Sequence, residues 1–500
     1  MTLPSNLATS VFTIFNQQFS SITADSRQVR KGSLFLAYPG AVSDGRNYIA
    51  QAIARGATAV VWEQAGFTWP SDWSVTNLAV TNLKQQVGEI AAKYYQHPSQ
   101  KLTMIGVTGT NGKTSVSQWL AQCLTKLGQK AAVLGTIGNG FVDTETNVLA
   151  EASNTTPDAI LLQSMLADFV SRQAKAVVME VSSHGLDQGR VNGVAFDVAV
   201  LTNLTRDHLD YHVTMEAYAA AKQKLFELDS LKVLVLNADD AFGQALEKSL
   251  STQDKLVLTY GLEHGKVRGS QLKLNDAGLS MQVTTPAGDA LLTAPVLGRF
   301  NAYNLLAVLA TLLALEVSLN DAIAAISQIK PVAGRMQQFG GANLPLVVVD
   351  YAHTPDALEK VLSTLREQLQ AGAKLICVFG CGGDRDAGKR PLMGAIAGKF
   401  ADSVIVTSDN PRSEDASAII QEVIGDNAKA YLIETDRASA IKLAIQSANK
   451  GDIVLVAGKG HENYQEIAGV KTPFDDALIA QEVLKNIQTQ SAMSGAEVSS

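Results

Sequence analysis

Only three cysteines occur in the 500 residues, Cys123, Cys377 and Cys381. An odd count without a paired Cys/His framework excludes a disulfide scaffold and leaves reduced thiols as the expectation. Cys377 and Cys381 flank a strand end and are not read as a zinc site. Aromatic residues make up just 6%, and no run is apolar for long enough to cross a bilayer. The N-terminus lacks a basic segment followed by an apolar core, so no export signal is read there. The formal charge of −7 is spread out rather than blocked, which argues against a general nucleic-acid or membrane surface. The expectation is a cytosolic protein with no nucleic-acid partner and no membrane insertion, whose anionic ligands need local basic clusters.

What is present is an α/β pattern too long for one core, with three domains as the working division. Residues 1 to about 97 hold short strand-like pieces such as Ser33–Ala37 and Ala59–Trp62. Within them, Asp25-Ser26-Arg27 reads equally as a surface turn or a ligand contact. His97-Pro98 marks a linker. From 101 to about 330, apolar runs alternate with amphipathic stretches, the pattern of a largely parallel sheet covered by helices. Strands are expected at 102–107, 131–134, 176–181, 197–202 and 232–236, then a β-rich stretch at 254–297 and a helix from Gly298 to Leu319. A third unit starts near Pro331, with buried strands at 346–349, 375–379, 404–407 and 453–457, a helix at 356–370, and a doubly wound order. The tail after about 488 is small and polar and is expected to be disordered.

The chemistry centres on Gly109-Thr110-Asn111-Gly112-Lys113-Thr114-Ser115, which follows the strand at 102–107 and opens a helix. Glycines let successive N–H groups point inward, the helix N-terminus adds partial positive charge, Lys113 suits the β- and γ-phosphates, and the Thr114 hydroxyl suits Mg²⁺. Val107 stands where the general phosphate-loop pattern has its first glycine.

Polar residues cluster after the other strands, where such sheets bind ligands. Glu180 ends one strand and is placed for Mg²⁺. The next runs into Thr205-Arg206-Asp207-His208-Leu209-Asp210-Tyr211-His212, a candidate metal or phosphate contact, although Mg²⁺ prefers oxygen to imidazole. Lys222 lies in an amphipathic helix where solvation is the ordinary reading. Asn301 and Asn304 share a helix face, as caps or as contacts to a nucleotide base. In the third unit, four strands lead into Asp350-Tyr351-Ala352-His353-Thr354-Pro355-Asp356, Gly380-Cys381-Gly382-Gly383-Asp384-Arg385, Asp409-Asn410-Pro411-Arg412 and Gly458-Lys459-Gly460-His461-Glu462. Arg385 and Arg412 suit bidentate recognition of a carboxylate.

Taken in order, the phosphate loop, Asn154-Thr155-Thr156-Pro157-Asp158, Glu180-Val181-Ser182-Ser183-His184, the 205–212 run, the 350–355 run and Asp409-Asn410-Pro411-Arg412 resemble the Mur ligases from about residue 20 to 487. The resemblance implies an N-terminal UDP-binding domain (1–98), a central P-loop ATPase-like domain (99–330), a Rossmann-like amino-acid-binding domain (331–490) and a tail (491–500). It implies an ATP-dependent ligase, acting as a monomer in cytoplasmic peptidoglycan precursor synthesis. Such an enzyme adds meso-diaminopimelate, or alternatively L-lysine, to UDP-N-acetylmuramoyl-L-alanyl-D-glutamate through an acyl phosphate.

Position by position, the resemblance gives the ATP site to Gly109, Thr110, Asn111, Gly112, Lys113, Thr114, Ser115, Asn301, Asn304, Arg335, Asp350 and His353. Mg²⁺ falls to Thr114, Glu180, His208 and Lys222, the last carbamylated by CO₂. Lys113, Glu180, His208 and Lys222 are the implied catalytic set. The UDP-muramoyl-dipeptide falls to Ser26, Asn154, Thr155, Thr156, Ser182, Gln188 and Arg190. Diaminopimelate falls to Arg385, Asp409, Asn410, Pro411, Arg412, Gly458 and Glu462. Lysine-adding members usually lack the arginine at 412. Gln337 departs from the family's usual glutamate. Rival readings are a folylpolyglutamate synthase, disfavoured by Asp25-Ser26-Arg27, and a nucleotide switch, disfavoured by Glu180, His208 and Lys222 together.

Overall fold

The structure is a computed structural model that describes residues 7–40, 43–142, 149–150, 152, 154–250, 254–275, 278–425 and 431–497. The chain forms two compact units. The first is Met1–Gly109, Val116–Asn203 and Thr214–Thr259; the second is Thr110–Ser115, Leu204–Val213 and Tyr260–Ser500.

In the first unit, four parallel strands, Ser21–Thr23, Ser33–Ala37, Ala57–Glu63 and Thr76–Val80, pair in chain order. Leu34, Leu36, Ala59 and Val61 on one face pack with Leu83, Val87 and Ile90 of the helix Leu83–Tyr94. Ala159, at the start of the helix Ala159–Ser171, joins the same core. The larger sheet of this unit runs Val233–Asn237, Val198–Leu201, Thr103–Thr108, Ala176–Glu180, Ala131–Gly135 and Gly138–Phe141. All pairs are parallel except the last, a hairpin. The strands are buried on both faces, which is why they read as unbroken apolar runs. Register sets Val107 opposite Glu180 and Thr108 opposite Leu201, so the phosphate-loop strand and its neighbours end level.

In the second unit, Val267–Asn275, Gly278–Thr285 and Gly288–Ala294 form an antiparallel meander, where the sequence reads only as β-rich. The helix Arg299–Ala314 packs on it, and a separate helix, Leu319–Ile326, follows with Ser318 as its cap. A six-stranded sheet has the order Gln337–Gly340, Leu346–Asp350, Ile453–Ala457, Leu375–Phe379, Ser403–Val406, Tyr431–Ile433. Only its first pair is antiparallel. Asp350 and Phe379 both align with Ala457, so the motifs that follow these strands leave one edge. Thr354 caps the helix Pro355–Gln368, with proline at its first position.

The chain end differs from expectation. The helix Asp476–Glu497 continues through most of the tail read as disordered. Ala480, Val483 and Leu484 bury its first turns against the sheet, and an existing helix propagates cheaply into residues that would not nucleate one. Among the described residues, no helix is long and apolar enough to cross a membrane.

Candidate active site

The phosphate loop is built by glycine geometry. Gly109 has φ +146° and Gly112 has φ +86°, and a Cβ at Gly112 would collide with Asn304 Oδ1. Lys113 opens the helix and its Nζ donates to Thr110 O at 2.9 Å. In the second unit the loop tip is tied down by Asp356, whose Oδ2 accepts from Asn111 Nδ2 at 3.0 Å, Thr205 Oγ1 at 3.3 Å and Lys360 Nζ at 2.9 Å. Thr110 Oγ1 accepts from Thr205 N at 2.9 Å and donates to Thr205 O. His208 adopts a left-handed φ of +54°, its N–H bonded to Asp207 Oδ1 and its Nε2 3.4 Å from Asp207 Oδ2.

Arg335 Nη2 donates to Thr114 Oγ1 at 3.3 Å, and the guanidinium stacks 4.6 Å over Tyr351. Its Nε is buried without a hydrogen-bond partner, an orphaned cationic donor beside the loop that suits a phosphate oxygen. Asp350 accepts from Met336 N and Ala352 N, both at 2.8 Å. Burial pushes its carboxyl above the usual carboxylate range, with Arg335 and the two N–H donors opposing. Asn301 Nδ2 donates back to Leu297 O and Asn304 Nδ2 to Asn301 Oδ1, so the two amides form one chain ending against Gly112. His353 Nδ1 lies 2.8 Å from Tyr351 O. Gln337 Oε1 accepts from Gly334 N at 2.9 Å, a bond for which the amide serves as well as a carboxylate.

In the first unit, Glu180 is fully buried at its strand end, Oε1 accepting from Thr136 N at 2.9 Å and Oε2 from Thr136 Oγ1 at 3.0 Å. Thr155 Oγ1 is 3.1 Å from Thr136 Oγ1. Thr156 Oγ1 donates to Glu180 O, accepts from Ser182 N and lies 3.0 Å from Ser182 Oγ. Arg190 Nη1 donates to Thr156 O at 2.9 Å, while Nε and Nη2 clasp Gln188 Oε1. Thr155, Thr156, Ser182, Gln188 and Arg190 therefore form one network around Glu180, and Asn154 stands exposed next to it. Tyr38 reaches this group: burial pushes its phenol up to about 12, with Asp158 adding to the rise and Arg190 opposing it. Ser26 is elsewhere in its domain, donating to Gln51 Oε1 at 2.7 Å. Lys222 is not solvated. It is 1% exposed, with Nζ donating to Gly109 O at 2.9 Å and lying 4.6 Å over the Tyr218 ring.

The last strand edge gathers most of the expected amino-acid pocket. Asn410 Nδ2 donates to Glu462 Oε2 at 2.8 Å, and Asn410 Oδ1 accepts from Lys459 Nζ and Glu466 N. Asp409 Oδ1 accepts from Asn410 N, and a Cβ at Gly458 would meet Asp409 Oδ2 at 2.6 Å. Arg412, with φ +53°, donates through Nη1 to Gly383 O at 2.7 Å. Pro411 O packs on Gly383, and a Cβ at Gly382 would meet Arg412 Nη1 at 3.0 Å and Arg385 Cγ at 3.8 Å. Arg385 is exposed, donating to Asp384 O.

Two residues here carry no sequence signal for a role: Thr136, a lone threonine after a strand, and Glu466, in the hairpin Tyr464–Ile467 and Val470–Pro473; Asp356 falls in the 350–356 motif, but its hold on the phosphate loop is not readable from it. Among the described residues no group of three or more histidine, cysteine or acidic side chains forms a ready metal site. The expected Mg²⁺ set contains only two such residues, Glu180 and His208, and otherwise relies on Thr114 and a carbamate. An oxygen-rich set of that kind suits Mg²⁺.

Comparison with known proteins gives the family. The chain matches models for the Mur ligase family catalytic domain at 18–95, the Mur ligase middle domain at 107–312 and the Mur ligase glutamate ligase domain at 334–460. It is 55% identical over 466 residues to the UDP-N-acetylmuramoyl-L-alanyl-D-glutamate--2,6-diaminopimelate ligase of Chromobacterium violaceum, covering 93% of this chain and 94% of the relative. The Pseudomonas aeruginosa protein of the same name is 51% identical, with the same coverage. A solved structure of a ligase of that name superposes with a TM-score of 0.70 at 39% identity, covering 95% of this chain and 96% of that one. The chain belongs to the Mur ligase family.

Proposed function

We infer that the protein is an ATP-dependent ligase that joins meso-diaminopimelate to UDP-N-acetylmuramoyl-L-alanyl-D-glutamate, in peptidoglycan precursor synthesis. The observation that carries the reading is Arg412, held by Gly383 O beside Asp409, Asn410 and Glu462. A fixed guanidinium rewards a substrate that brings a second carboxylate and is left unpaired by L-lysine. The names of the relatives support the same substrate.

ATP phosphates rest on the N–H groups of Gly109 to Ser115, with Lys113 and the orphaned Arg335 Nε as cationic donors. Asn301, Asn304, Asp350 and His353 serve the nucleoside. The resemblance assigns the metal to Thr114, Glu180, His208 and Lys222, Lys222 as a carbamate that turns a cation into an anion. When bound, Mg²⁺ supplies charge neutralisation to the transferring phosphoryl group. Thr155, Thr156, Ser182, Gln188 and Arg190, with Ser26 and Asn154, orient the UDP-muramoyl-dipeptide. The D-glutamyl carboxylate takes the γ-phosphoryl group and ADP leaves. The amine of diaminopimelate, oriented by Arg385, Arg412, Asp409, Asn410 and Glu462, attacks the acyl carbon and phosphate leaves. Three buried free thiols suit a reducing cytoplasm, and the enzyme acts as a monomer. The test is phosphate release from ATP that requires both the UDP-muramoyl-dipeptide and the amino acid.

A further inference from the structure

Asp356 is the second residue of the helix Pro355–Gln368, where an acid is ordinarily explained by the positive end of the helix dipole. Here the cap comes from a neighbour, Thr354, whose Oγ1 accepts from Ala357 N at 3.3 Å. Among the described residues, the Asp356 carboxylate takes no bond from its own helix backbone. It is engaged elsewhere in the second unit.

One oxygen, Oδ2, collects donors from three segments: Asn111 Nδ2 at 3.0 Å, Thr205 Oγ1 at 3.3 Å and Lys360 Nζ at 2.9 Å. Asn111 stands between the two loop glycines, just before Lys113, so a hold on its side chain is a hold on the turn that aims the phosphate-binding N–H groups. Thr205 opens the run that carries His208. It also exchanges two hydrogen bonds with the loop, Thr110 Oγ1 accepting from Thr205 N at 2.9 Å and donating to Thr205 O at 3.1 Å. Asp356 itself ends the run that starts with Asp350 and His353, the residues assigned to the nucleoside. Lys360 offsets the carboxylate charge, so this anion does not repel a phosphate bound at the loop.

We propose that Asp356 is a positioning residue for phosphoryl transfer: its carboxylate oxygen sets the phosphate-loop tip and the His208 run in register with the segment that holds the nucleoside. This rests on the ATP site proposed above. The two ends of ATP are bound by segments far apart in the chain, and a shift of about 1 Å between them can cost about a hundredfold in rate.

The test measures phosphate release from ATP by the full chain with UDP-N-acetylmuramoyl-L-alanyl-D-glutamate and meso-diaminopimelate, for Asp356→Ala, Asn111→Ala and both together. Each single replacement should lower kcat/KM for ATP by about tenfold or more while KM for diaminopimelate stays within about twofold. The double replacement should fall short of the product of the single losses by about fivefold or more, because both delete the same contact. Asp356→Asn, which keeps an oxygen acceptor for Asn111 and Thr205, should recover to within about threefold of the unsubstituted enzyme. A role confined to the helix start would lower the melting temperature and leave kcat/KM of the folded enzyme intact. That result, losses that multiply to within about twofold, or an Asp356→Asn variant as impaired as Asp356→Ala would each overturn the proposal. An unsubstituted enzyme silent with all three substrates overturns the underlying function and this proposal with it.

Discussion

Glu180 is gripped at both carboxylate oxygens by one residue, Thr136, through its backbone N–H at 2.9 Å and its hydroxyl at 3.0 Å. A buried carboxylate held this way keeps one orientation, which is what the metal-binding role proposed for Glu180 needs. Thr136→Val keeps the shape and the backbone bond but deletes the hydroxyl. It should lower kcat about tenfold and raise the Mg²⁺ concentration for half-maximal turnover, whereas Glu180→Gln, which removes the charge, should cost about a hundredfold or more. A magnesium titration of both variants checks this.

Gly112 of the phosphate loop has φ +86°, and a Cβ built there would run into Asn304 Oδ1. Gly112→Ala meets both a left-handed backbone and a collision. ATP-dependent turnover should fall by about a hundredfold or more, while the far-ultraviolet circular dichroism spectrum stays unchanged, because the strain is confined to a loop.

Arg437 and Asp476 form a fully buried pair, Nε to Oδ1 at 2.8 Å and Nη2 to Oδ2 at 2.7 Å, and Arg437 Nη2 also donates to Ala457 O. Asp476→Asn leaves a guanidinium buried without its counter-charge. It should destabilise the surrounding sheet by about 3–5 kcal/mol, and the double replacement Arg437→Met, Asp476→Leu should recover most of that. Urea midpoints read through amide exchange of Ile453–Ala457 report the effect where it arises.

Asp44 is clasped by Arg46, Nη2 to Oδ2 at 2.7 Å and Nε to Oδ1 at 3.0 Å. The Arg46 hydrogen bond holds the Asp44 carboxyl below its ordinary 3.8, burial opposing. A lowered folded-state value means that the stabilisation is fully present above the ordinary value and is lost as pH falls through 3.8 and then through the lowered one. Asp44→Asn should therefore cost about 1 kcal/mol at pH 7, after allowing for solvent screening, and the two unfolding curves should converge in acid. Urea titrations at several pH values check the convergence.

Much of this was legible beforehand because of burial on both faces. Val347, Val348 and Val349 are fully enclosed, so their strand reads as a continuous apolar run, and the strands that carry Glu180 and the phosphate loop lie within about a residue of expectation. The phosphate loop itself was readable because a strand, a glycine turn and a helix start follow one another there, although Val107 replaces the first glycine of the general pattern. Lys222 was readable only through the family resemblance, since by pattern a lysine on an amphipathic helix looks solvated until the Gly109 carbonyl and Tyr218 ring close over it. Glu466 was not readable, because its position depends on a hairpin that pairs with Arg412 far away in the chain. The terminal helix extends beyond what its own polar sequence suggests because its length depends on packing upstream, at Ala480 and Val483.

The most direct measurement is phosphate release from ATP with UDP-N-acetylmuramoyl-L-alanyl-D-glutamate, supplying meso-diaminopimelate or L-lysine in parallel. Turnover with diaminopimelate alone is the expected result, because the clamp proposed at Arg412 answers a second carboxylate that L-lysine lacks. Turnover with lysine alone would contradict the clamp, and silence with both would contradict the ligase.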